Sequence, residues 1–146
     1  MSQSWFEVLV SFMRSHGAAL KALRLVLMGG HTPAEAAVAC GCSVARVRAV
    51  LKRAERAMAH IKRVVHVLKW NAQPGRLPKS TFESLARLIR SSGASRRAAK
   101  RVLVDDVPLH EAASEVGVTR QACWNVVRRF RRAMKTLNAL PLPMLQ

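Results

Sequence analysis

The sequence predicts an all-α fold: two tandem helix-turn-helix modules of about four helices each, the first ending in a long heptad-patterned helix. Three observations predict it. Segment 4–58 recurs at 80–134, 76 positions later, with 20 of 55 positions identical in an ungapped alignment. Apolar residues fall at helical spacing, with almost no strand signal. In each copy, Ala-Ala-x-x-x-Gly-x-Ser/Thr joins a short helix to a longer one through a tight glycine turn. Two copies are too few for a solenoid, so each reads as a small module packed with or tethered to the other.

The first helix of each copy begins at Ser4 or Ser80, with Glu7 or Glu83 three residues on to complete a capping box. It ends near Arg14 or Arg90, before Gly17 or Gly93. The second carries Leu20, Leu23, Val26 and Leu27 in one copy and Ala98, Val102 and Leu103 in the other. Val102-Leu103-Val104 alone would also suit a short strand. Gly29-Gly30-His31-Thr32-Pro33 and Asp105-Asp106-Val107-Pro108 then break the chain. The third helix runs over Pro33–Cys40 or 108–116, where proline suits the first turn and Glu-Ala-Ala permits close packing. Gly41 or Gly117 ends it, and Ser43 or Thr119 caps the last helix.

No Gly or Pro occurs over 44–73, so the last helix of the first copy should continue to about Trp70. Val47, Leu51, Ala54, Met58, Ile61, Val65 and Leu68 form a heptad seam along it. Its first half suits a core. Beyond Met58 too little of the module remains to cover Ile61, Val65 and Leu68, which point to contact with the other module or to a homodimer. In the second copy Cys123, Val127, Phe130, Met134 and Leu137 keep the register until Pro141. The expected organisation is a first module over 1–70, a linker over 71–79, a second module over 80–138 and an apolar, Pro-containing tail over 139–146.

The chain carries 25 Lys and Arg against 8 Asp and Glu, for a net charge of +17. Such a chain implies an acidic partner, most commonly nucleic acid, with an anionic membrane surface next. The charge is concentrated: no acid follows Glu115, while Arg120, Arg128, Arg129, Arg131, Arg132 and Lys135 all do. No apolar stretch is long enough for a membrane span, and the start lacks a signal-peptide pattern, so a cytoplasmic, nucleoid-associated protein is expected. Cys40, Cys42 and Cys123 lack zinc-ligand spacing, and the five histidines form no nucleophile, acid–base or metal constellation. The expectation is a non-enzyme with no metal, cofactor or evident small-molecule ligand.

A helix entering the major groove presents its first two turns to base edges and later cations to phosphates. In the second copy those first turns hold Thr119, Arg120, Gln121, Trp124 and Asn125. Arg120 could fork onto guanine, and Gln121 or Asn125 could pair with adenine. Arg128, Arg129, Arg131 and Arg132 would hold phosphates; the alternative is a merely solvated face. Trp124 suits packing or a thymine methyl equally. The first copy has Val44, Ala45, Arg48 and Ala49 at the positions of Arg120, Gln121, Trp124 and Asn125. Its candidates, Ser43, Arg46, Arg48, Lys52 and Arg53, form a poorer hydrogen-bonding set, which suits phosphates, a different half-site or a dimerising platform. The expected function is therefore sequence-specific binding of double-stranded DNA by the second copy, with nonspecific nucleic-acid binding or a protein-adaptor role as alternatives.

Val102-Leu103-Val104-Asp105, Pro108 and Ser114-Glu115-Val116-Gly117-Val118-Thr119-Arg120-x-Ala122 resemble the TrfB/KorA-like family of transcriptional repressors. The similarity spans a whole module, from Ser80 to about Phe130, and reaches the first copy more weakly. It implies a helical domain that represses transcription by occupying operators, usually as a dimer. It also implies base contacts from Arg120 and, five residues later, from Asn125, where the family amide is usually Gln. Asp106 stands where the family usually has a turn Gly.

Overall fold

A computed structural model describes residues 1–70 and 76–141. The expectations for 71–75 and for 142–146, most of the linker and of the tail, lie outside the described residues. Every regular element described is an α-helix: α1 Gln3–Met13, α2 Ala18–Gly29, α3 Pro33–Cys40, α4 Val44–Trp70, α5 Lys79–Leu88, α6 Gly93–Leu103, α7 Leu109–Val116 and α8 Arg120–Asn138. The fold is all-α. Val102-Leu103 closes α6, not a strand.

The duplication is visible in the backbone. The positive-φ residues fall into four pairs at the repeat spacing: Arg14 with Arg90, Gly17 with Gly93, Gly30 with Asp106, and Gly41 with Gly117. Positive φ at a helix boundary redirects the chain, so both copies turn at the same places. Asp106 takes φ 59° where its repeat mate Gly30 takes 68°. Aspartate tolerates this region better than most residues with a Cβ, which explains how the turn survives without glycine.

The first helices start differently from expectation. The capping residue of α1 is Ser2 and that of α5 is Pro78, and neither makes a side-chain cap bond. Ser4 and Ser80 therefore lie inside the first turn, and neither proposed capping box forms. Both acids are engaged elsewhere: Glu7 accepts from Gln3 Nε2 at 2.7 Å, and Glu83 pairs with Arg96 and Lys100 of α6. A capping box does form at α3, where Thr32 Oγ1 accepts from the Glu35 amide and Glu35 accepts from the Thr32 amide. Those bonds hold the Glu35 carboxyl below its usual range.

Among the described residues the chain divides into two compact units, Met1–Ala59 and His60–Pro141. The division falls inside α4, ahead of the helix end at Trp70. In the first unit, Ala22, Ala36, Ala37 and Val47 form a buried cluster flanked by Leu25, Val26, Val44 and Leu51. The alanines let α3 lie close to its neighbours, as Glu-Ala-Ala predicts.

The second unit packs α6 against α7 and α8, with Phe82 of α5 stacked on Phe130 of α8 at 4.7 Å between ring centroids. The Leu77 amide donates to the Leu103 carbonyl at 2.8 Å, fixing the chain just before α5 to the end of α6. Residues 60–70 of α4 belong to this unit. Ile61, Val64 and Val65 are completely buried, and Leu68 is half-buried. The end of α4 lies beside α5, where Lys62, Arg63, His66 and Val67 face Ser80, Thr81 and Ser84 across a cleft of about 470 Å³. Thr81 occupies the repeat position of the buried Trp5.

His60, on the same stretch, has a buried Nδ1 without a hydrogen-bond partner. Burial lowers its pKa, and the positive charges of Arg87 and Arg63 add to the effect. The unfolded chain, with an imidazole near the ordinary ~6.5, therefore binds the proton more readily than the folded one. His60 contributes its stability above that value and loses it as pH falls through about 6.5 toward the lowered folded value. Thermal melts should show the second unit weakening from pH 8 to pH 5.5, and His60→Gln should flatten that slope.

Candidate nucleic-acid interface

The approach to α8 is built by local bonds that recur in α4. Gly117, at φ 76°, donates to the carbonyls of Ala113 and Ser114, and Val118 donates to Ala113 at 3.0 Å. Thr119 then turns to extended backbone, and its Oγ1 accepts from the Ala122 amide at 3.1 Å. In the first copy Gly41 and Cys42 donate to Val38 and Ala37, and Ser43 Oγ accepts from the Arg46 amide at 3.2 Å. Ser43 and Thr119 thus cap as their residue type predicts, each satisfying one of the free amides at a helix start.

Periodicity then divides α8 into two faces. Cys123, Val126, Val127, Phe130, Ala133 and Leu137 are buried. Thr119, Arg120, Gln121, Trp124, Asn125, Arg128, Arg129 and Arg132 are all exposed, so every candidate proposed for this helix faces solvent. Gln121 Nε2 donates to Asn125 Oδ1 at 3.1 Å, one turn along. The Arg128 guanidinium lies over the Trp124 ring, 5.0 Å from its centroid. Arg129 differs from its neighbours. It lies at the margin of the exposed face and donates to the Ile89 carbonyl at 2.9 Å, satisfying the end of α5. Part of its donor set is therefore structural.

The ion pairs separate the cations of the second unit into two groups. Glu83 pairs with Arg96 and Lys100, Arg101 bridges Glu115 and Asp105, and Asp106 lies 3.7 Å from Arg76. Hydrogen bonds that the Arg101 guanidinium donates to Glu115 and Asp105 hold it above its already high range, and Arg101 in turn lowers the Glu115 carboxyl. These acids all meet α6 or Arg76. None of the basic side chains of α8 joins an ion pair among the described residues. The positive field of α6 is therefore largely neutralised locally, while that of α8 is not.

In the first unit, Ser43, Arg46, Arg48, Lys52 and Arg53 are also exposed. Between them lie the exposed Ala45 and Ala49 and the half-buried Val44, so hydrogen-bonding groups are absent where α8 has Arg120, Gln121 and Asn125. The two copies share a scaffold and differ on its surface. Cys40 and Cys42 are half-buried free thiols and Cys123 is a buried one, whose pKa burial raises. Among the described residues, no three His, Cys, Asp or Glu side chains come together as metal ligands, and no helix is long and apolar enough to cross a membrane.

Sequence reasoning missed the ion-pair network of α6 and the structural bond of Arg129. Apart from the local Arg101–Asp105 pair, these contacts join residues distant in sequence, which no local motif announces.

Compared with known proteins, the chain matches no family model, no curated protein and no solved structure.

Proposed function

We propose that the chain is a sequence-specific double-stranded DNA-binding transcriptional regulator, acting as a repressor and reading the major groove with α8. The observation that carries this reading is the exposed face of that helix. A capped N-terminus offers Arg120, Gln121 and Asn125 in its first two turns, backed by cations that no acid neutralises. Base edges require donors and acceptors near the helix start, and phosphates require unpaired charge along the flanks.

In this reading α7, the glycine turn and α8 act as a helix-turn-helix, and the first copy contributes phosphate contacts through Arg46, Arg48, Lys52 and Arg53. Two linked binding surfaces raise each other's effective concentration on one duplex. The resemblance of 80–130 to TrfB/KorA-like repressors supports Arg120 and Asn125 as the base-contacting pair, and a nucleoid location follows from the function.

Selection of bound sequences from random duplexes tests this directly. One preferred duplex is expected, with affinity falling steeply in salt, the logarithmic slope approaching about −0.9 per neutralised phosphate. If selection returns no preferred duplex and unrelated RNA competes equally, the protein is a nonspecific nucleic-acid binder.

A further inference from the structure

We infer, resting on the DNA-reading role of α8, that Trp124 is a specificity-determining residue whose indole packs on the 5-methyl group of one thymine. Trp124 is 43% exposed, although the core face of the helix is filled without it by Cys123, Val127 and Phe130, each buried. A large apolar ring left in water amid a cationic surface costs free energy until something covers it.

Its position limits what can cover it. Trp124 lies one turn beyond Arg120 on the exposed face, beside the hydrogen-bonded amides Gln121 and Asn125. Whatever meets those amides in the major groove also meets the ring. The groove edge of DNA presents donors, acceptors and one apolar group, the thymine methyl.

Arg128 supports the same assignment. Its guanidinium, 5.0 Å from the ring centroid, holds the indole by a cation–π contact and keeps a positive charge next to it. Apolar contact to the base and charge toward the backbone thus come from adjacent turns of one helix. The amides deepen the match: Asn125 or Gln121 suits adenine, and every adenine pairs with a thymine whose methyl lies in the same groove. The first copy carries Arg48 at this position, so the contact is peculiar to the second copy.

Deoxyuridine supplies the test, because it pairs as thymine does and lacks only the methyl. Each thymine of the preferred duplex is replaced in turn, and binding is measured for the wild type, Trp124→Ala and Trp124→Arg. The arginine variant places the first copy's residue at an exposed position, which guards against a folding defect. One replacement should weaken wild-type binding about fourfold, the effect of exposing one buried methyl. The same replacement should leave both variants unchanged. If no replacement separates the wild type from the variants while Arg120→Ala still loses the preferred duplex, the inference falls and the DNA reading stands. Absence of any preferred duplex removes both.

Discussion

Replacing Arg120 with alanine is expected to weaken binding to the preferred duplex by about 1–3 kcal/mol, the range for one bidentate contact to a guanine. Nonspecific affinity should change far less. The side chain leaves the first residue of α8, just after the Thr119 cap, and is exposed with no ion-pair partner among the described residues. Nothing in the folded chain depends on it, so its loss should be read in binding and not in melting temperature. Arg131→Ala is the matched control. It lies about three turns further along the helix, also exposed, where a phosphate contact is expected. Its loss should lower affinity similarly on all duplexes and reduce the salt slope by about one phosphate's share. If the two substitutions gave the same pattern, the division between base-reading and backbone-holding residues would be wrong.

Val65→Asp should unfold the second unit. Val65 is completely buried in the part of α4 that belongs to His60–Pro141. A carboxylate there must lose its water without gaining a partner, a penalty of about 4 kcal/mol or more, at the severe end for single substitutions. Urea denaturation followed by circular dichroism should show the loss, and DNA binding through α8 should go with it, because α8 is in the same unit. Lys62→Asp, which places the same carboxylate on the exposed side of the same helix, should stay within about 0.5 kcal/mol. A tolerated Val65→Asp would mean that residues 60–70 contribute little to that core.

What the sequence made legible was local. α3 runs Pro33–Cys40 as proline and glycine punctuation dictates, Ser43 and Thr119 cap their helices, and heptad spacing carries α4 unbroken to Trp70. The exposed face of α8 was legible because the buried positions of one helix fix the rest by periodicity. Non-local competition stayed hidden. Ser80-x-x-Glu83 has the form of a capping box, but α6 offers Glu83 two cations, and the helix starts one residue earlier at Lys79. Arg129 looks like its neighbours in sequence, yet only the fold brings the Ile89 carbonyl to it. The heptad seam left open whether Ile61 and Val65 meet their own chain or another, since periodicity says that a face is apolar and not what lies on it.

The division within α4 bears on how this chain can change over evolutionary time. The repeated segment begins at Ser80 in its second occurrence, yet the second unit begins at His60 and takes in a stretch that follows the first occurrence. The inherited unit and the packed unit are therefore out of phase. Excising the second repeat by its own boundaries would leave behind Ile61, Val64 and Val65, three side chains buried in the intact protein. The two copies can diverge on their surfaces, as Arg120 and Val44 already have, but the second cannot be excised along its repeat boundaries without cutting into a packed unit.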